Sequence, residues 1–465
     1  MSHSKVIENL EITGISAEGK SIARHDNRVL FVAQAVPGDI VDVQITRKKR
    51  KFFEGKAIHF HQESPERQEP FCEHFGTCGG CKWQHMQYEA QLNYKARQVM
   101  DNLKKIGKTA LPEPLPILGS DDTTFYRNKL EFTFSDMRWL TAEEIASGKE
   151  FSRNALGFHI PGRFDKILDI DKCWLQPDPS NEIRTTVRQY ALENELTFFN
   201  LKDQHGLLRN LIIRTTTTGE VMVIVQFFEP NEKAIEGLME HLKEKFPTLT
   251  ALLYIINQKK NETFHDQEVR TYHGQDYITE RMGTLQFRIG PKSFYQTNPV
   301  QAEKLYQTAL DFADLKGDEL VFDLYCGTGT ISNFVAHKAK KVVGIEYVED
   351  AIVDARINSG LNGIDNTEFY AGDIKDLLTE QFVRKTGRPD VIITDPPRAG
   401  MHADVVKQLN EIRAEKIVYV SCNPATQARD LNLLSENYTV EGIQPVDMFP
   451  QTHHVENVLL LKRKA

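Results

Sequence analysis

Residues 319–339 read ELVFDLYCGTGTISNFVAHKA. Glu319 to Leu324 is the apolar run of a buried strand, Gly327 and Gly329 make a turn, and Ile331 to Ala339 carries helical apolar spacing. Strand, glycine turn and helix together open an α/β unit, and the two glycines let the backbone come close to a ligand. The third glycine of a dinucleotide fingerprint is absent, so a nucleoside-type cofactor without phosphate is expected.

Working outward, four more segments end in the same way. Val342 to Glu346 and Glu368 to Asp373 are strand-like runs that finish on acids, and Glu346 is placed to accept hydrogen bonds from ribose hydroxyls. Val391 to Thr394 ends in Asp395-Pro396-Pro397-Arg398-Ala399-Gly400, where the prolines forbid a continued sheet interior. Ile417 to Val420 empties into Ser421-Cys422-Asn423-Pro424. Strands alternating with helical segments predict a doubly wound sheet, and in such sheets ligands bind at the carboxyl ends of the strands. A lone cysteine is more often a small packing residue. At this edge, beside Asp395, Cys422 is placed for chemistry.

DLYCGTGT, GIEYVEDAI, AGDI, TDPPRAG, VSCNPAT and PQTHHVE occur in this order, and together they resemble the S-adenosylmethionine-dependent RNA uracil-5-methyltransferases. The resemblance extends over the whole chain. It implies a Rossmann-like class I methyltransferase domain over 291–465, an N-terminal OB-like barrel of the TRAM type over 1–62, and a central mixed α/β domain over 63–290 that carries an iron–sulfur cluster.

Composition fits a globular enzyme: 465 residues, 40% hydrophobic and 26% charged. No apolar run approaches the ~18 residues of a membrane span and no signal-peptide core is present, so a cytoplasmic protein is expected, as a monomer without membrane contact. The net charge of -8 argues against a generic nucleic-acid binder and shifts attention to local patches. One such patch is Arg47-Lys48-Lys49-Arg50-Lys51, followed by Phe52 and Phe53, between two strands of the N-terminal alternating pattern. Lysines and arginines suit phosphates, and aromatics suit stacked bases.

Cys72, Cys78 and Cys81 form C-x5-C-G-G-C, and Cys173 follows at a distance. In a reduced compartment four such thiols suit a metal centre better than disulfides, and the spacing allows either zinc or an iron–sulfur cluster. FCEHFGTCGGCKWQH resembles the cluster segment of the iron–sulfur branch of the family, which implies a [4Fe–4S] cluster on Cys72, Cys78, Cys81 and Cys173. A helix is expected from Tyr88 to Lys108, and the family packs its equivalent on the catalytic domain. In the central region Arg127, Lys129 and Arg209 are candidates for RNA contact.

The resemblance also assigns a cofactor set: Gln296, Tyr325, Thr330, Glu346, Asp373 and Asp395, with the turn Gly327 to Gly329. Thr330 stands where relatives often have asparagine. Cys326, inside that turn, reads as a packing residue.

The chemistry explains the residue types. C5 of uracil is a poor nucleophile, but a thiolate adding at C6 makes C5 enolate-like. Cys422 is the expected nucleophile, as a thiolate near neutral pH. Glu456 matches the family's base, which removes the C5 proton after methyl transfer, and Asp395 binds the cofactor's amino acid or orients the base. The target uridine must leave its stack. An amino-group methyltransferase would need an aromatic residue where Arg398 stands, and a non-catalytic RNA binder would have no use for thiol, cofactor turn and glutamate together. Family members with both barrel and cluster act on 23S ribosomal RNA, so that substrate is expected ahead of tRNA.

Overall fold

The protein is described by a computed structural model covering residues 6–465. Alternation in Ile40–Lys48 turns Val41, Val43 and Ile45 inward, where they meet Ala23, Leu30, Val32 and Ala57. Six strands form this sheet, from Val6–Glu11 to Phe52–Gln62. The two-residue turn Asp26-Asn27, both at positive φ, joins strands paired through His25 and Arg28, as tight hairpins require. Lys49 to Lys51 form an exposed hairpin tip.

After a largely irregular segment bearing three of the cysteines comes the helix Tyr88–Asn102, which widens into a π-turn over Leu103–Gly107 before Lys108 ends it in the left-handed region. Its Val99 and Leu103 belong to a core otherwise built from the C-terminal sheet and its helices, including Leu409, Leu431 and Tyr419.

The central sheet has seven strands, in spatial order Val269–Gly274, Ala251–Ile256, Val221–Phe227, Leu208–Thr215, Lys129–Ser135, Ala155–Ile160 and Arg163–Asp169. Leu208–Thr215 and Val221–Phe227 are buried along their whole length because both faces are covered. One face packs on the helices Ser180–Glu193 and Glu232–Lys245. The other, through Ile212, Met222 and Ile224, joins the same core as Ala302, Leu305 and Ile393 of the C-terminal region. Arg209, a candidate RNA contact, is instead fully buried, donating to the carbonyls of Asn257, Lys259 and Asn261 at 2.6 to 2.8 Å. Its charge is spent on holding that loop.

The C-terminal sheet runs Thr367–Ala371, Lys341–Glu346, Leu320–Leu324, Val391–Thr394, Lys416–Ser421, Glu456–Arg463, Tyr438–Val446. The first five are parallel, and Glu456–Arg463 inserts antiparallel between its neighbours. No helix among the described residues is long and apolar enough to cross a membrane.

Candidate active site

The five parallel strands deliver their carboxyl ends to one edge. Leu324 is followed by Tyr325 at φ +64°, an uncommon conformation for a bulky side chain and a strained one. Gly327 and Gly329 are also left-handed, and a Cβ on Gly329 would lie 2.9 Å from that of Ala355. Thr330 begins the helix Thr330–Ala336, and Cys326 packs with Ile352, Ala355 and Phe369. Glu346 accepts from the amide of Gly327 at 3.1 Å and that of Val348 at 2.9 Å, tying the turn to the next strand end. Asp373 caps the short helix Ile374–Leu377 through the Lys375 amide and pairs with the Lys375 ammonium at 2.7 Å; the ammonium holds its carboxyl below the usual range. Gln296 lies just before the helix Pro299–Ala313, its carbonyl accepting from Asn128 at 3.1 Å.

Three residues meet further along the edge. Asp395 follows Thr394, which is paired with Tyr419 in the next strand, and Cys422 follows the end of that strand. Ser421 pairs with Asn457, so the antiparallel strand starts with Glu456 beside Cys422. Only a strand entering from the opposite direction can bring its first residue to this edge.

These groups are poorly solvated, and that governs their ionisation. Burial pushes Asp395 up to about 7. Burial also raises Glu456, helped by the charge of Asp395, while Arg398 acts against it. The Cys422 thiol is raised to about 11 by burial and then by Glu456 and Asp395, with Arg398 again opposing. Burial first, and the two neighbouring acids second, thus favour the thiol over the expected thiolate in the free protein. Asp323, on the strand that leads into the glycine turn, is buried, raised to about 7 by that burial, and accepts from the Ser332 hydroxyl at 2.6 Å.

Two residues of the site were not foreseen. Tyr306 is buried within electrostatic reach of Gln296 and Asp395, on a helix whose sequence shows only apolar periodicity. Arg398 had a signal, since it directly follows Asp395-Pro396-Pro397.

The four cysteines form a separate site. Cys72, Cys78, Cys81 and Cys173 line one cavity of about 160 Å³, together with Arg127, Trp174 and Thr452. Burial pushes the Cys78 and Cys81 thiols up to about 12. Among the described residues, the one group of three or more metal-binding side chains with ligand atoms within 4.8 Å of each other is Glu73, His74 and Asp171, so no three of these sulfurs are that close.

The sheet order and the site at its edge define a class I methyltransferase. Residues 202–464 match the tRNA (Uracil-5-)-methyltransferase family and residues 7–58 the TRAM domain, and the chain belongs to the S-adenosylmethionine-dependent RNA uracil-5-methyltransferases. It is 57% identical to an uncharacterized RNA methyltransferase of Bacteroides thetaiotaomicron, over 96% of this chain and 100% of that protein. A Porphyromonas gingivalis protein of the same description is 56% identical over 98% and 100%. Among solved structures, the Pyrococcus abyssi tRNA (uracil-54, C5)-methyltransferase in complex with S-adenosyl-L-homocysteine aligns with a TM-score of 0.76 and 28% identity, covering 97% of this chain and 99% of that one.

Proposed function

We propose that the protein methylates C5 of a uridine in RNA through a covalent adduct between Cys422 and C6. The observation that carries this is the meeting of Cys422, Asp395 and Glu456 at one poorly solvated edge beside the glycine turn. S-adenosylmethionine supplies the methyl group and a sulfonium charge. Gln296, Tyr325, Gly327, Gly329, Thr330, Glu346 and Asp373 would hold it, with Asp395 and Tyr306 at its reactive end. Cys422 gives up its proton to solvent, aided by Arg398, and its sulfur adds to C6; the C5–C6 π pair moves to C5, which takes the methyl group while the methyl–sulfur electron pair stays on the cofactor's sulfur. After C5 has taken the methyl group, the Glu456 carboxylate removes the C5 proton; the C5–H electron pair restores the C5–C6 double bond and the C6–S bond breaks, freeing Cys422. Mass analysis of treated RNA for 5-methyluridine tests the activity, and a methylated base other than 5-methyluridine overturns it.

Ribosomal RNA is the first substrate to test, on the resemblance to barrel- and cluster-bearing relatives. tRNA is the second, favoured by the full-length likeness to an enzyme named for tRNA uracil-54. Mapping 5-methyluridine in both RNAs from a strain lacking the protein decides between them.

The four thiols fit a [4Fe–4S] cluster. Four thiols can also hold a single zinc, and the resemblance of the Cys72 to Cys81 segment to the iron–sulfur branch favours the cluster. All four thiols line one cavity of about 160 Å³, and buried thiols need a cationic centre to ionise. Anaerobically purified protein is expected to carry iron and sulfide; stoichiometric zinc without sulfide excludes the cluster.

A further inference from the structure

Just before Glu456, the segment Asp447 to Val455 is gripped by the helix Tyr88–Asn102, from the other half of the chain. Lys95 and Asp447, 352 residues apart in sequence and both fully buried, pair at 2.6 Å. The Lys95 ammonium also donates to the carbonyl of Phe449 at 3.1 Å, and Asp447 accepts from the Phe449 amide at 2.9 Å and the Tyr88 hydroxyl at 2.9 Å. One turn of helix away, Gln91 donates to the Gln451 side chain at 3.0 Å and accepts from the Gln451 amide at 2.9 Å. Gln451 is held at φ +67°, and its carbonyl accepts from the amides of Lys82 and Trp83. The Tyr126 hydroxyl donates to the carbonyl of Pro450 at 2.9 Å.

A buried ion pair is a poor source of stability, because desolvation offsets most of its attraction; apolar replacements are often as stable. Its value lies in permitting one arrangement of the groups it binds. Here those groups are the backbone of the segment that ends in the proposed base. The nucleophile Cys422 and the cofactor turn sit on the parallel strands, which this clamp does not bond.

Resting on the uridine methylation proposed above, we infer that Lys95 and Asp447 are positioning residues for the proton-removing step, fixing the segment that aims Glu456 at C5. Loss of the clamp slows resolution of the Cys422 adduct and leaves its formation and cofactor binding nearly unchanged.

The test uses the full chain with unmodified 23S ribosomal RNA and tRNA transcripts and S-adenosylmethionine, in a single turnover quenched onto denaturing gels. Lys95→Met or Asp447→Leu alone strands a buried charge and lowers the melting temperature. The double variant removes both charges and regains part of that stability, since the Phe449 backbone and the Tyr88 hydroxyl still lose these partners, yet its adduct is expected to resolve about ten- to a hundredfold more slowly, as misplacement of a reacting group does. A purely structural role predicts the opposite: stability and resolution recover together, and a double variant that resolves its adduct at the unaltered rate overturns the inference. Tyr88→Phe, which deletes one hydroxyl, covers the case of a double variant that does not fold; it is expected to slow the same step less, and an unchanged adduct lifetime in it also counts against the clamp. Glu456→Gln is the control. If it traps no adduct on either RNA, the proposed mechanism fails and the inference with it; if it traps adduct while the clamp variants resolve theirs normally, the clamp alone is wrong.

Discussion

Two pairs of carboxylates line the same sheet edge in opposite circumstances. Glu346 and Asp373 are satisfied by backbone amides and an ammonium, and Asp373 is held in its charged form. Asp395 and Glu456 lie in a dry corner that favours their protons. A hydrogen-bonded acid presents a constant charge to a ligand. A desolvated one is suited to moving a proton, because its ionisation lies near working pH. On the proposed function, one row of strand ends carries a binding half and a reacting half.

The sharpest break of this contrast comes from the reacting half. Glu456→Gln is expected to lower turnover by about a thousandfold, within the range of a lost general base, while accumulating RNA attached to Cys422. Cys422→Ala should be equally inactive with no adduct, and adding it to Glu456→Gln should abolish the retarded band on a denaturing gel. A Glu456→Gln protein that turns over normally removes Glu456 from the role of base.

The binding half should respond differently. Glu346→Ala leaves two backbone amides without their acceptor and is expected to weaken S-adenosylmethionine by about 1–3 kcal/mol in calorimetry, with adduct resolution unaffected. Unchanged affinity would place the ribose elsewhere.

The pH dependence sharpens the comparison further. Because burial raises Asp395 to about 7 and also raises Glu456, their carboxylate forms are lost at higher pH than the ordinary range near 4. Adduct resolution followed by rapid quench should therefore fall about tenfold per unit as pH drops, starting well above the ordinary carboxylate range. A flat profile from pH 8 to 5 would show that the base is ionised throughout.

The smallest expected effect concerns Arg398, whose charge favours the Cys422 thiolate against two carboxylates. Arg398→Ala should slow alkylation of Cys422 at pH 8 a few-fold, as read by peptide mass mapping, because the thiol is pushed still higher. Faster alkylation would mean that the arginine shields the sulfur rather than activating it.

What the sequence disclosed follows from where each residue sits in its strand. Asp395 and Cys422 end parallel strands, so apolar runs that stop in proline point at them directly. Glu456 begins an antiparallel strand, and no local pattern marks its first residue as belonging to the same edge; family resemblance was needed to find it. Tyr306 hides in the apolar face of a helix. Arg209 shows the opposite failure, since a cation in a β-rich stretch reads as surface charge until its three carbonyl partners, some fifty residues away, are seen. The upward shift of the Cys422 thiol was illegible for a related reason: it comes from burial and from acids that two other strands bring beside it.

The helix Tyr88–Asn102 has a consequence for how the chain reaches its native state. Its Lys95 meets Asp447 across 352 positions, and its Val99 completes the core around Leu409 and Leu431. Contacts so remote close large loops before any return is gained, which slows folding. The C-terminal sheet is therefore expected to finish assembling only after the N-terminal third has docked. A fragment starting at residue 291 would leave open both the apolar groove where Val99 and Leu103 belong and the face that packs on Ile212, Met222 and Ile224, and such a fragment should aggregate even when a peptide spanning residues 88–107 is supplied.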